Sequence, residues 1–102
     1  MELVDTHVHL THKDYTQQPD GLAGVIKRAK RVGVNHFIVP GLNRLSSYKA
    51  IDLAMTYREI MPAVGLHPLS PDEDLNLYEE LIRRPQSKVI GEVGTDIKAG
   101  PI

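Results

Sequence analysis

Residues 36–65 read HFIVPGLNRLSSYKAIDLAMTYREIMPAVG, and they predict one complete strand–helix–strand unit. A short apolar run lies at His36–Val39, and a second run follows at Met61–Gly65. Between the two runs, apolar residues recur at the spacing of an amphipathic helix: Ala50, Leu53, Ala54 and Tyr57. Ser46 or Ser47 is expected to cap this helix. Two strands joined by one crossover helix lie parallel in the same sheet.

The same alternation continues toward both ends of the chain. A first apolar run lies at Leu3–Leu10, and a helical pattern follows from Leu22 to Ala29. A third helix is expected to open at Pro71-Asp72, and a fourth apolar run covers Lys88–Val93. Four strands separated by three helices predict an α/β fold with a parallel sheet. Because the runs are almost wholly apolar, we expect the strands to be covered on both faces.

Composition narrows the function classes. With 102 residues, the chain has the length of one domain at most. The formal net charge is −1, so no strong basic field exists to attract nucleic acid or anionic lipid. Cysteine is absent, which excludes a disulfide scaffold and thiolate chemistry. The sequence predicts neither a signal peptide nor a membrane span, and a cytoplasmic location is the expectation.

Two histidines end the first strand, at His7 and His9. Residues two apart on a strand point to the same side, so both imidazoles are expected to enter one space. Two neutral imidazoles held together chelate a divalent metal ion well. The alternative is a pair of histidines whose hydrogen bonds are satisfied at a strand end without any metal.

Two further polar residues come at the ends of later strands. Glu92 lies in the apolar segment Val89–Gly94, where a carboxylate is costly unless it is paired or bound to a cation. A salt bridge to a lysine or arginine would also satisfy it. His67 comes just past the third strand. In a parallel barrel the carboxyl ends of the strands share one face, where catalytic residues collect.

Three segments together resemble the ordered signatures of the TatD family of metal-dependent deoxyribonucleases. They are DTHVHL at residues 5–10, GLHP at residues 65–68 and GEVGTD at residues 91–96. The resemblance covers essentially the whole chain. It implies a parallel (β/α) barrel of TIM type, of which residues 1–102 form the N-terminal half. It also implies hydrolysis of phosphodiester bonds in DNA by a metal-activated water.

The resemblance also assigns roles to single residues. His7 and His9 would bind one divalent metal ion (zinc, magnesium or manganese), and Glu92 would bridge two ions and take part in catalysis. His67 would be a catalytic-site residue that faces a substrate phosphate. The chain departs from the family pattern at Thr95–Lys98, and the later histidines and aspartate of the family's site have no counterpart in these 102 residues.

Two alternatives stay open at this point. A phosphoesterase of the PHP type also begins with two histidines separated by one residue. A non-catalytic fragment that binds metal, or an assembly module, would fit a chain that carries only part of the ligand set. An open arc of four strands leaves unpaired edges and an uncovered apolar face, so we expect it to associate, as a homo-oligomer or with the missing half-barrel.

Overall fold

The computed structural model describes residues 2–68 and 75–94, which contain a four-stranded parallel sheet. Its strands lie side by side in sequence order, and every neighbouring pair is parallel: β1 Leu3–Asp5, β2 Val34–Pro40, β3 Ile60–Leu66 and β4 Val89–Val93. The sheet curls into a half-barrel with the helices on its outer side. The predicted fold class, a partial TIM-type barrel, is confirmed.

The helices lie in the three connections between these strands. They are α1 Lys13–Thr16, α2 Gly21–Arg31, α3 Arg44–Thr56, a 3-10 helix at Leu75–Tyr78 and α4 Glu79–Ile82. The short α1 was not predicted. The predicted start of the third helix at Pro71-Asp72 lies outside the described residues. From Leu75 to Ile82 the chain is helical, with one 3-10 turn followed by one α-helical turn.

The start of α3 differs from the expectation that Ser46 or Ser47 is its cap. The cap is Asn43, whose side chain accepts a hydrogen bond from the backbone N–H of Ser46 at 2.8 Å. The Ser46 hydroxyl in turn accepts the backbone N–H of Asn43 at 3.0 Å, which completes a capping box. Ser47 therefore has no capping role, and its side chain is fully buried.

The core lies between the sheet and the helices, on the convex side of the half-barrel. Phe37 and Val39 of β2 belong to one buried cluster there, together with Ile26 of α2. Alternate strand residues face the other way, and this concave side is open: Val4 is 52% exposed and Met61 is 42% exposed. The expectation of strands covered on both faces is therefore met only on the helical side, because four strands do not close a barrel.

One ion pair ties α2 to the start of β3. Lys30 Nζ lies 2.6 Å from Glu59 Oε2, and only 15% of the Glu59 side chain is exposed. The hydrogen bond from Lys30 lowers the pKa of Glu59 below its ordinary value. Between α3 and α4, hydrogen bonds from Arg84 and Tyr48 lower the pKa of Glu80. Within the described residues, no helix is long and apolar enough to cross a membrane.

Candidate metal centre

Three strand ends bring the candidate residues to one end of the sheet. His7 and His9 follow β1, His67 follows β3 directly, and Glu92 lies in the last part of β4. All four strands run parallel, so their carboxyl ends meet at one rim of the half-barrel. The structure brings together the three residues that were expected to converge, His7, His9 and Glu92, and it places His67 beside them.

The Glu92 carboxylate lies at the centre of the group. Its Oε2 atom is 3.3 Å from His9 Nε2 and 3.6 Å from His7 Nε2. The two imidazole rings meet edge to face, with centroids 5.0 Å apart. One ligand atom from each of these three residues lies within 4.8 Å of the other two.

These distances can be compared with those around a metal ion. A tetrahedral zinc with bonds of about 2.0–2.1 Å separates two of its ligand atoms by about 3.3–3.4 Å. The separations of 3.3 Å and 3.6 Å between the histidine nitrogens and Glu92 Oε2 are close to that value. Two imidazole nitrogens and one carboxylate oxygen also form a donor set that suits a borderline-soft divalent ion. The residues present therefore fit such an ion.

His67 approaches the carboxylate from another direction. Its Nε2 atom is 3.8 Å from Glu92 Oε1, the oxygen that does not face the other two histidines. Its backbone N–H donates to the carbonyl of Leu42 at 2.8 Å, which fixes the residue beside the turn after β2. The two oxygens of Glu92 are thus directed at different partners, and 26% of the His67 side chain is accessible.

The surroundings of Glu92 bear on the alternative of a salt bridge to a lysine or arginine. Within residues 2–68 and 75–94, the basic side chains within 4 Å of its carboxylate are the three histidines, and none is a lysine or arginine. The carboxylate is partly buried, with 29% of the side chain exposed, while His7 is 55% exposed. The centre is thus open on the His7 side, where water or a substrate could enter.

Local backbone contacts fix the loop that carries the two histidines. Asp5 Oδ1 accepts the backbone N–H of His7 at 3.1 Å. The N–H of Val8 donates to the carbonyl of Ile38 at 3.2 Å, and Leu10 is 1% exposed in the core. The sequence prediction did not include Asp5. Its position two residues before His7 is the signal that could have identified it, because aspartate often bonds the backbone two residues on.

Backbone bonds also hold the end of β4. The N–H of Glu92 donates to the carbonyl of Gly41 at 2.9 Å, and the N–H of Gly41 donates to the carbonyl of Gly91 at 3.2 Å. The turn after β2 therefore contacts β4 directly, although β3 lies between these strands in the sheet. The backbone at Glu92 is consequently held by the turn after β2, in addition to the pairing of β4 with β3.

Comparison of the sequence with known proteins identifies a family. The sequence profile of the family described as TatD related DNase matches residues 4–101. The chain belongs to the TatD-related DNase family. The PHP-type alternative is therefore set aside. Family membership agrees with the resemblance seen in the three sequence signatures, although residues 95 and 96 of the last signature lie outside the described residues.

Several members of the TatD-related family are similar over most of this chain. A protein of Bacillus subtilis named uncharacterized metal-dependent hydrolase YabD is 35% identical over 98 residues. The 3'-5' ssDNA/RNA exonuclease TatD of Erwinia tasmaniensis is 32% identical over 99 residues, and both matches cover 92% of this chain. The deoxyribonuclease Tat-D of Schizosaccharomyces pombe is 38% identical over 94 residues and 78% of this chain. The matched part is only 37%, 37% and 30% of these relatives' lengths, respectively.

Proposed function

We propose that this chain forms the N-terminal half of a metal-dependent phosphodiesterase barrel that hydrolyses DNA. In this proposal His7, His9 and Glu92 bind a divalent metal ion, and Glu92 and His67 act on the substrate. The observation that supports it most is the convergence of three imidazoles on one carboxylate, with His9 Nε2 only 3.3 Å from Glu92 Oε2.

The two oxygens of Glu92 support the further proposal of two ions. Oε2 faces His7 and His9, while Oε1 faces His67, so one carboxylate can contact an ion on each side. The described residues supply a three-residue ligand group for the first ion only. Ligands for a second ion would come from the rest of a complete barrel, which needs around 250 residues. Zinc suits the imidazole-rich first position best, with manganese and magnesium as the other candidates.

The remaining chemistry is assigned to the side chains of the chain itself. A divalent ion held by His7, His9 and Glu92 would supply an activated water and positive charge near the phosphate. His67 donates a hydrogen bond from its imidazole to a phosphate oxygen and so orients the diester. Glu92 Oε2 and the two histidine Nε2 atoms, which face one another, would be the ligand atoms.

DNA is the proposed substrate because two of the similar proteins are named for it, a deoxyribonuclease and an exonuclease of ssDNA and RNA. The net charge of −1 means that binding depends on contacts at the site rather than on a basic surface. Any phosphodiester that reaches the open rim would satisfy the same chemistry.

A second candidate is a metal-binding fragment without catalytic activity. It is favoured by the open concave face and by the single ligand group among the described residues. Both candidates require metal binding, but only the first requires hydrolysis when the barrel is complete. In either case we expect the 102-residue chain alone to bind metal weakly and to hydrolyse DNA poorly, because two-metal catalysis needs both ions in place.

The test measures zinc binding and hydrolysis separately. Isothermal titration of the chain with zinc, manganese and magnesium gives the affinity, and a labelled single-stranded oligonucleotide gives the cleavage rate. The double variant His7→Ala, His9→Ala should lose zinc binding and keep its circular dichroism spectrum, whereas His36→Ala, near the opposite end of β2, should bind as the wild type does. Zinc uptake that survives the double substitution would remove both histidines from the site. Rapid cleavage by the chain alone would show that the ligands of the other half are not needed.

A further inference from the structure

Ser47 is a fully buried polar residue on α3. A hydroxyl in such a position is costly unless it forms hydrogen bonds. It accepts the backbone N–H of Gly65 at 3.2 Å and donates to the carbonyl of the same residue at 3.3 Å. One side chain of a helix therefore satisfies both backbone groups of one residue in β3.

The pairing of β3 with β4 is irregular at Gly65, where the register shifts between Val64 and Leu66. Between the pairs Val64–Ile90 and Leu66–Val93, β3 has one residue, Gly65, and β4 has two, Gly91 and Glu92, so the extra residue of the bulge lies in β4. Gly65 lies opposite this bulge, and the Ser47 hydroxyl bonds both of its backbone groups there.

Gly65 also touches the backbone of the proposed metal ligand. A Cβ atom on Gly65 would overlap the backbone nitrogen of Glu92 and the carbonyl group of Gly91. A Cβ atom on Gly41 would overlap the Ser47 hydroxyl, and the carbonyl of Gly41 is the acceptor for the Glu92 N–H. The Ser47 hydroxyl thus lies against both glycines that contact the segment before the Glu92 side chain.

We infer that Ser47 is a positioning residue for the metal centre, acting on Glu92 through Gly65 and Gly41. The inference rests on the proposed function, because it concerns where that ligand is held. Ser47 itself does not touch the ligand atoms. Without its hydroxyl, both backbone groups of Gly65 lose their bond to α3, and β3 shifts against the Gly91-Glu92 peptide. A metal site tolerates displacements of only about 0.5 Å.

The expected result is a loss of zinc affinity in Ser47→Ala of about 10- to 100-fold, the range typical when a partner that orients a ligand is removed. The absorption spectrum of bound cobalt, which reports ligand geometry, should change as well. If Ser47 only packed α3 against the sheet, Ser47→Ala would lower the stability of the fold but would leave the zinc affinity and the cobalt spectrum as in the wild type.

The matched control is Ser87→Ala. Like the Ser47 hydroxyl, the Ser87 hydroxyl donates to a backbone carbonyl, that of Leu81. Ser87 is partly buried and lies before β4, away from the rim. The Ser87→Ala variant should be less stable than the wild type but should bind zinc with the same affinity. Ser47→Cys keeps the volume and a weak donor and acceptor, so it should show an intermediate affinity and serves if Ser47→Ala does not fold.

The experiment is zinc titration and cobalt spectroscopy on the 102-residue chain and these three variants, with unfolding by urea as the measure of stability. Weaker zinc binding and an altered cobalt spectrum in Ser47→Ala, but not in Ser87→Ala, would support the inference. If the wild type binds zinc through His7 and His9 while Ser47→Ala or Ser47→Cys binds equally well, the inference is wrong and the proposed function stands. If the wild type does not bind zinc through these histidines, both are wrong.

Discussion

Replacement of His9 by alanine is the sharpest test of the metal centre. His9 Nε2 is the imidazole nitrogen closest to Glu92 Oε2, at 3.3 Å. The side chain is 33% exposed and lies in a loop, so its loss should change the stability of the metal-free fold by no more than about 0.5 kcal/mol. The zinc affinity should fall by about 100-fold or more. Loss of a group that only orients a ligand already lowers metal affinity by up to about 100-fold.

The size of the effect follows from linkage between binding and folding. Zinc at 100 times its dissociation constant stabilises the folded wild type by about 2.7 kcal/mol. In His9→Ala the same concentration equals the dissociation constant, and the stabilisation falls to about 0.4 kcal/mol. For a chain of this size these values correspond to increases in Tm of about 11–22 °C and about 2–3 °C.

The assay is thermal unfolding followed by circular dichroism over a zinc titration, with His36→Ala as the control that should keep the full increase. An equal zinc-dependent increase in wild type and His9→Ala would refute the reasoning. If His36→Ala lost the zinc-dependent increase in Tm, the reasoning would also be refuted, because the binding site would then lie at the other end of the sheet.

Three further predictions concern the fold. Glu59→Gln should reduce stability at pH 7 by less than about 1 kcal/mol. The hydrogen bond from Lys30 lowers the pKa of Glu59 in the folded state from 4.5, so its contribution is present above pH 4.5 and is lost as pH falls through the folded-state pKa. The difference in stability from wild type, measured by urea unfolding, should therefore shrink as pH is lowered below 4.5, and a difference independent of pH would contradict the argument. Leu81→Ala should lower the free energy of unfolding by about 2–5 kcal/mol, because Leu81 is 0% exposed. Leu45→Ala, at a site that is 64% exposed, should lower it by less than about 0.5 kcal/mol, and equal losses of the two variants in urea unfolding would contradict this. Met61→Glu should reduce association of the chain in sedimentation velocity, since Met61 lies on the open concave face, and a wild type that sediments as a compact monomer at high concentration would contradict this.

Much of the sheet could be predicted because its signals are local. The apolar runs around Val39 and Val64 have the length and flanking residues of buried strands, and both are strands in the structure. The rim site could be predicted for the same kind of reason. His7 and His9 stand two apart at a strand end, and the parallel topology brings the end of β4, with Glu92, to the same rim.

The parts that could not be predicted depend on competition or on distant contacts. Asn43 and Ser46 are both good capping residues, and the choice between them follows from the backbone after Gly41, which local sequence does not specify. The role of Ser47 depends on the bulge in β4 opposite Gly65, which forms only when β4 pairs with β3. The exposure of Met61 depends on strands that these 102 residues do not contain.

The metal centre has a consequence for the curvature of the sheet. Its ligands come from β1 and β4, the two outermost strands, yet His9 and Glu92 approach to 3.3 Å. In a flat sheet, three strand spacings would hold these edges about 14 Å apart. An ion bound between them would therefore join the two edges of the half-barrel, and metal affinity would depend on the curvature that the four strands already hold.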